Sequence, residues 1–450
     1  MSRDTAPPDH VTPYDRFAWS DSDIQRLLVT GEHQRELVAY FGAQEYRELA
    51  KLAMKAERVP LTDAAMPVFV VPGIMGSQLG VRRKHPLPHD ILWLDPIDIG
   101  VGRLAALRIP TRAPIVSLGV VLYSHLRLKL HLRGHGFAPV FYDYDWRLGI
   151  DDLGLAFAQR LRAEPASRVM IVAHSMGGLV SRAALTQPGM EKVARLILLG
   201  TPNFGSFAPL QALRGTYAVV RKIARLVNTG TAELLAGEIF NSFPSLYHML
   251  PIAERTGGAN LFDPAEWPRS GPQPDVALLH GARAVQGKLA PPDARISAVV
   301  GVGQETVTAA TRRRDEFVYT ITRHGDGTVP AVSAALPGAR NYFSTVAHSE
   351  LTRDAAVAAA VCDLLRTGMT RRLASKWESN SIAAARISDR QLRRMHADKV
   401  DWAGLEPDER RIFLQNLNEP PKLRLRVRRK QTAPRSTARR KSARRGTRSS

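Results

Sequence analysis

The chain has 450 residues, 44% of them hydrophobic, which favours a globular fold with one large core over a disordered chain. Its formal net charge is +21, but residues 421–450 supply 13 Lys and Arg and no Asp or Glu, so the rest of the chain carries only +8. The single cysteine, Cys362, excludes an intramolecular disulfide and a thiol-based zinc site.

Residues 1–63 are predicted to form an N-terminal helical extension, because apolar residues recur every three or four positions in Asp21–Val29 and Ala43–Ala56. Residues 64–369 alternate between strand-like and helix-like segments, which predicts an α/β fold with a mostly parallel sheet flanked by helices. The strand candidates are Met66–Val71, Phe137–Tyr142, Val169–Val172, Leu196–Leu199, Ile296–Val302, Phe317–Ile321 and Tyr342–Val346.

Two insertions, residues 86–119 and 202–290, interrupt this alternation and are interpreted as cap or lid segments. In the second, one helical face collects apolar residues while most of the nearby arginines and lysines lie off it. The apolar positions are Leu213, Tyr217, Val220, Ala224 and Val227. This pattern is typical of a lid or membrane-surface helix, and equally of an ordinary helix that covers the core.

Residues 370–420 are charged and are predicted to form a small helical module, and residues 421–450 a disordered basic tail. The tail is either a solvated extension or a segment attracted to an anionic membrane surface, at about 1 kcal/mol per basic residue. Nucleic-acid binding is disfavoured because the tail has no aromatic residues for base stacking. No signal peptide or transmembrane segment is recognised, so a cytoplasmic location is expected, in solution or peripheral to a membrane.

The segment Ala173-His174-Ser175-Met176-Gly177 carries the clearest chemistry of the chain. It follows a buried-strand pattern and precedes a helical one, and small residues stand two positions before and after the serine. A tight turn between strand and helix lifts a serine hydroxyl above the sheet, and small neighbours avoid a clash there. Ser175 is therefore predicted to be a nucleophile.

A serine nucleophile needs a base, an acid that orients the base, and donors for the oxyanion. In enzymes with such an elbow the acid and then the histidine follow the serine along the chain. His348, between the last strand candidate and a helical run, is the predicted base. Asp326, in a Gly-Asp-Gly turn, is the predicted acid and Glu305 the runner-up, while Asp145 precedes the serine and is disfavoured.

The oxyanion donors are predicted to be two backbone N–H groups. One is that of Met176, directly after the nucleophile, and the other that of Ile74 in the glycine-rich loop after the first strand candidate. His131 and His135 have a spacing that can bind a metal on a helix, but no carboxylate or thiol completes the set in the sequence. No metal or cofactor is therefore predicted.

Eight ordered motifs resemble the lecithin:cholesterol acyltransferase family, which includes lysosomal phospholipase A2 and phospholipid:diacylglycerol acyltransferase. The resemblance covers about residues 66–366. The motifs are Val71-Pro72-Gly73-Ile74-Met75-Gly76-Ser77-Gln78-Leu79, Leu92-Trp93-Leu94-Asp95, Tyr144-Asp145-Trp146-Arg147, the Ser175 segment, Leu199-Gly200-Thr201-Pro202, Gly301-Val302-Gly303, Gly325-Asp326-Gly327-Thr328-Val329 and His348.

This resemblance implies an α/β-hydrolase fold with cap and lid insertions, and a serine triad that moves a fatty acyl group to water or an alcohol. It implies Ser175 as nucleophile, Asp326 as orienting acid and His348 as base, and it places Trp93 and Trp146 near the acyl pocket or the cap. The chain lacks the cysteines and signal sequence of the secreted members. The resemblance therefore leaves the headgroup and the acyl acceptor open.

The sequence thus predicts a lipid acyl-ester enzyme of the O-acyltransferase or phospholipase A type, acting on a phospholipid or acylglycerol. One alternative is a carboxylesterase or triacylglycerol lipase. Another is a non-catalytic hydrolase-fold protein that binds a membrane or nucleic acid through its tail. The oligomeric state is not indicated by any pattern in the chain.

Overall fold

The computed structural model of this chain describes residues 20–62, 65–84, 89–93, 95–227, 230–378, 384–395, 400–402 and 404–417. The basic tail, 421–450, and the role predicted for it lie outside these residues. The strands are β1 (Pro67–Val71), β2 (Ser77–Val81), β3 (Asp90–Trp93), β4 (Ile115–Val120), β5 (Ala138–Phe141), β6 (Val169–His174), β7 (Val193–Leu199), β8 (Ile296–Gly301), β9 (Thr306–Arg313), β10 (Glu316–Thr322), β11 (Arg340–Ser344) and β12 (Ala385–Ser388).

The α-helices follow the same chain order. They are α1 (Asp21–Thr30), α2 (Gln34–Phe41), α3 (Ala43–Arg58), α4 (Pro96–Gly100), α5 (Leu122–Arg133), α6 (Ile150–Arg162), α7 (Met176–Ala184), α8 (Phe207–Leu213), α9 (Ala218–Leu226), α10 (Ala232–Glu238), α11 (Pro244–His248), α12 (Ala253–Thr256), α13 (Val276–Gly287), α14 (Ala331–Ala334), α15 (Ala355–Thr367), α16 (Asp389–Arg394) and α17 (Pro407–Gln415). No helix of the described residues is both long and apolar enough to cross a membrane.

The central sheet has six strands in the order β11-β8-β7-β6-β1-β5, and all neighbouring pairs are parallel. Its inner strands β1, β6, β7 and β8 are almost wholly buried, since helices pack on both faces of the sheet. This confirms the predicted α/β-hydrolase class, a mostly parallel sheet flanked by helices. Six of the seven predicted strands lie in this sheet.

The seventh predicted strand, Phe317–Ile321, lies instead in β10, in a separate antiparallel sheet of order β12-β10-β9. Residues of the 370–420 segment supply its strand β12, which pairs along β10 from Val318 to Ile321. A third sheet, β3-β2-β4, holds the ends of the first insertion. Both small sheets are antiparallel and lie outside the central sheet.

The stretch interpreted as a basic amphipathic helix is broken, because α8 ends at Leu213 and α9 begins at Ala218. Two of its arginines, Arg214 and Arg221, are buried. Arg214 is fully buried and pairs with the fully buried Asp389 at 3.1 Å, and Arg221 donates to backbone oxygens of Arg393 and Met395. The segment around α16 therefore covers these basic residues, and α9 packs into the core rather than presenting a membrane-binding face.

The N-terminal helices pack onto the main body of the protein through α5. Leu126 and Leu130 of α5 share an apolar cluster with residues of α1, α2 and α3. Helix α17 then packs on α2, and the Gln415 amide donates to the Phe41 carbonyl oxygen at 3.4 Å. The two outer segments of the described chain thus meet each other next to the start of α5.

Candidate active site

Ser175 lies in the turn between β6 and α7, at the carboxyl edge of the central sheet. Its backbone has φ 53° and ψ −126°, a strained conformation for a residue with a side chain. Gly73 packs against it so closely that a Cβ at Gly73 would lie 2.7 Å from the Ser175 Cβ. The strained turn and the bare glycine together leave room in front of the hydroxyl.

The structure brings Ser175, His348 and Asp326 together. The Ser175 Oγ lies 3.0 Å from the His348 Nε2, and the His348 Nδ1 lies 2.7 Å from the Asp326 Oδ2. Both distances are within hydrogen-bond range. His348 begins the turn after β11, and Asp326 follows β10, so three separate loops converge on one edge of the fold. This arrangement can pass a proton from the serine to the imidazole.

The Asp326 carboxylate is buried and fixed by backbone groups. Its Oδ1 accepts hydrogen bonds from the Thr328 and Val329 N–H groups at 2.9 and 2.7 Å, which leaves Oδ2 for the imidazole. The His348 N–H in turn donates to the Asp326 carbonyl oxygen at 2.9 Å. Gly200, with φ +57°, lies beside them, and a Cβ there would stand 3.0 Å from the His348 Nδ1. The pair is therefore held rigidly from several sides.

The predicted oxyanion donors flank the serine. Ile74 and Ser175 line the same cavity, and Met176 opens α7, where helix N–H groups have no partner within the helix. Among the described residues, the N–H groups of Ile74 and Met176 donate no hydrogen bond inside the protein. Unpaired donors beside a nucleophile can stabilise a developing negative charge on oxygen.

Two further histidines, His125 and His174, lie beside the three residues and were not predicted from the sequence. The His174 Nε2 lies 3.0 Å from the His348 carbonyl oxygen, and the His125 and His174 rings are 5.9 Å apart. Burial lowers the pKa of His174 well below its ordinary value, and the neighbouring His348 lowers it further. Burial lowers the pKa of His125 to about 4. Both are therefore neutral at pH 7.

The low pKa of His125 predicts a loss of stability in acid. Below pH 6.5 the unfolded chain takes up a proton at this imidazole that the folded chain excludes until about pH 4. The free energy of unfolding therefore falls over this window, by as much as about 3 kcal/mol from this residue. Urea unfolding at several pH values should show a shallower acid loss for His125→Gln than for the parent protein. Equal slopes would contradict the assignment.

A large cavity opens above Ser175 and encloses about 1520 Å³ when its open mouth is included. Its walls are mostly apolar, and no Asp, Glu, Lys or Arg occurs among the described residues that line it. Besides the loops that carry Ser175 and His348, its lining includes Tyr40 from α2 and Leu414, Gln415 and Leu417 from the C-terminal segment. These outer contributions were not indicated by any pattern in the sequence.

Of the two predicted substrate-binding tryptophans, Trp93 lines this cavity, and its indole N–H donates to the Met75 carbonyl oxygen at 3.2 Å. Trp146 is fully buried, with its ring 5.1 Å from that of Trp93 and its N–H bonded to the Ser77 carbonyl oxygen. It is not among the described residues that line the cavity, so it lies one layer behind Trp93.

The other candidate acids lie elsewhere. Glu305 lines a separate small pocket beside Gly327 and Thr328. Asp145 forms a two-point ion pair with Arg147, at 2.9 and 2.6 Å, and the Arg147 side chain also donates to the Leu107 carbonyl oxygen. This pair clamps the loop that carries Trp146. The structure therefore leaves Asp326 as the carboxylate that contacts His348.

The pair formed by His131 of α5 and His135 in the turn after α5 is not isolated, which corrects the interpretation from the sequence. Cys362 of α15 brings a thiol next to His131 and His135, and the three candidate ligand atoms lie within 4.8 Å of one another. The helices α5 and α15 are far apart in sequence, so no local spacing could show this. Lys55 occupies the approach, with its Nζ 3.3 Å from the His135 Nε2, and its positive charge opposes a cation there.

A family model described as a PGAP1-like alpha/beta domain matches residues 155–249. No curated protein sequence matches the chain. Solved structures with a similar fold include the mature form of Bacillus licheniformis lipase BlEst2, at 14% identity and TM-score 0.37, covering 69% of this chain and 95% of that one. The Tle4–Tli4 complex is similar at 15% identity and TM-score 0.41, covering 70% and 100%.

The lin2722 gene product of Listeria innocua is similar at 12% identity and TM-score 0.29, covering 69% of this chain and 100% of that one. This chain spans about half, 54%, of the length of BlEst2 in its propeptide form. At these identities the likeness concerns the fold and not the substrate. The chain has an α/β-hydrolase-type fold with a PGAP1-like segment that contains the serine elbow.

Proposed function

We propose that this chain is a serine-dependent lipid acyl-ester enzyme that transfers a fatty acyl group from a lipid ester to water or to a lipid alcohol. One observation carries the proposal: the hydrogen-bonded series Ser175, His348 and Asp326 lies at an apolar cavity with no charged side chain among its described lining residues. The series supplies acyl-transfer chemistry, and the cavity suits an acyl chain.

In the proposed reaction the His348 Nε2 accepts the proton of Ser175 as its Oγ attacks the ester carbonyl carbon. The N–H groups of Ile74 and Met176 hold the resulting oxyanion. The alcohol leaves with the proton from His348, and an acyl-enzyme ester remains on Ser175. Water or a second alcohol then gives its proton to His348 as its oxygen attacks the acyl carbon, and His348 returns that proton to the leaving Ser175 Oγ, which regenerates the serine. Asp326 keeps the imidazole in the required orientation throughout.

The proposal includes two acyl acceptors, an alcohol and water. Transfer to an alcohol is supported by the ordered motifs that resemble the lecithin:cholesterol acyltransferase family. Transfer to water, which is hydrolysis, is consistent with the similarity of the fold to solved lipase structures. A carboxylesterase or triacylglycerol lipase remains the alternative within enzymes, and a non-catalytic binding protein the alternative outside them. The polar contacts that position His348 and Asp326 argue for the enzyme, because a binding protein has no need of them.

The proposal predicts a preference for long acyl chains. Burial of each additional methylene in the cavity contributes about 0.8 kcal/mol, so kcat/KM for p-nitrophenyl esters should rise from short to long chains. Adding a long-chain alcohol should divert part of the acyl group into a new ester, measured by mass spectrometry. A profile that peaks at acetate would favour the carboxylesterase, and the absence of new ester would restrict the function to hydrolysis.

A further inference from the structure

A second, polar groove adjoins the apolar cavity. Three arginines line it, Arg127 of α5, Arg353 in the turn before α15 and Arg411 of α17, and we call it the arginine groove. Tyr123 and Gln415 line both the groove and the cavity, so the two spaces share a wall. We propose that the arginine groove binds the phosphate of a phospholipid headgroup while the acyl chain occupies the cavity. This inference rests on the proposed function.

Two carboxylates hold the guanidinium groups of the groove in place. Glu45 accepts from Arg127 at 2.6 Å and from Arg353 at 3.1 Å, and Glu350 accepts from Arg353 at 2.9 Å. The Arg353 guanidinium also lies 4.3 Å from the centroid of the Tyr123 ring. Ordered guanidinium groups lose little side-chain entropy when they bind a phosphate.

The groove retains unused positive charge and unused donors. The described lining of the groove holds three guanidinium groups and two carboxylates, those of Glu45 and Glu350, which leaves an excess of one positive charge. Arg411 pairs with Asp408, but that carboxylate is 76% exposed, so the pair contributes little. The buried Arg353 Nε has no hydrogen-bond partner among the described residues. Phosphate oxygens are strong acceptors for guanidinium N–H groups, and the side chains of Arg127, Arg353 and Arg411 are each partly exposed in the groove.

The position of the groove fits a phospholipid in particular. Glu350 lies two residues after His348, and Ser349 between them lines the cavity. In a phospholipid only a short piece of the glycerol backbone separates the fatty ester from the phosphate. The cavity has no Lys or Arg among its described lining residues, so it offers no cationic partner for a phosphate, whereas the groove beside it does. A neutral ester would leave the groove filled with water.

The test compares two substrates with the same acyl chains, dioleoylphosphatidylcholine and dioleoylglycerol, in mixed detergent micelles with the full-length protein. Arg411→Gln should lower kcat/KM for the phospholipid about tenfold relative to the diacylglycerol, the effect expected for one charge-assisted hydrogen bond. Arg127→Gln should shift the same ratio in the same direction. The matched control is Arg283→Gln, which changes an exposed arginine of α13 that pairs with Glu254 of α12, and it should leave the ratio unchanged.

Thermal unfolding checks that each variant is folded. A wild-type ratio in both folded groove variants would overturn the inference, and so would diacylglycerol turnover without phospholipid turnover by the parent protein. Failure to turn over either lipid would instead overturn the proposed function. The water-soluble headgroup glycerophosphocholine should inhibit phospholipid turnover, less strongly in Arg411→Gln. Inhibition by inorganic phosphate but not by glycerophosphocholine would assign the groove to free phosphate and overturn the headgroup assignment.

Discussion

Replacing Ser175 with alanine is expected to reduce turnover of lipid esters by a factor of about 10⁴–10⁶. The Oγ that lies 3.0 Å from the His348 Nε2 is the only protein atom of the proposed mechanism that bonds to the acyl carbon, and alanine removes it. The small residual rate would come from the oxyanion donors and from substrate binding. Initial rates on a long-chain ester measure the loss, and a fluorophosphonate probe measures labelling of the serine.

Ser22→Ala is the matched control, because it also removes one hydroxyl, from the exposed face of α1. It should retain the parent rate and the parent labelling. Folding of Ser175→Ala is checked by its thermal midpoint, which should stay close to that of the parent protein. Labelling of the Ser175→Ala variant at the parent level would mean that another residue is the nucleophile, and the proposed mechanism would be abandoned.

Replacing Asp326 with asparagine is expected to lower kcat by about 10⁴ while KM changes little. The asparagine oxygen can still accept from the Thr328 and Val329 N–H groups, which turns the amide NH₂ towards the His348 Nδ1. The His348 Nδ1 must then accept a hydrogen bond from this amide, so the proton of the neutral imidazole moves to Nε2. An imidazole protonated at Nε2 cannot accept the proton of Ser175.

Glu305→Gln provides the comparison for Asp326→Asn, since both changes neutralise a carboxylate near the same turn. Glu305 lies in a different pocket, so its variant should stay within a few fold of the parent kcat. The pH dependence of kcat separates the two further, because only the loss of the orienting acid changes the tautomer of His348. A severe effect of Glu305→Gln beside a mild effect of Asp326→Asn would reverse the assignment of the acid.

The sequence predicted the parts of this fold that are encoded locally. Buried parallel strands are continuous apolar runs, so the strand before Ser175 and the one before His348 could be found from composition alone. The order of nucleophile, acid and base, together with the glycines around Asp326, then indicated which loops meet. The segment Phe317–Ile321, which lies in the antiparallel strand β10, was predicted together with the strands of the parallel sheet. A strand pattern does not indicate which sheet the strand joins.

The features that the sequence did not predict depend on contacts between distant segments. The burial of Arg214 requires Asp389, 175 residues away, and nothing near Arg214 indicates that partner. Cys362 reaches His131 only because α15 packs beside α5. The lining contributed by Tyr40 and Leu417 likewise depends on α2 and the C-terminal segment meeting at the cavity. Local periodicity assigns a residue to a face of a helix but does not identify the partner of that face.

The contact of α17 with α2 also has a consequence for biosynthesis. A ribosome delivers Ser175, Asp326 and His348 well before it delivers Leu414 and Leu417, which complete the wall of the cavity. The nascent chain can therefore bring Ser175, Asp326 and His348 together while the cavity beside them is still open on one side. The last part of the described chain then completes the wall of that cavity, so the full lining can form only after Leu417 has been synthesised.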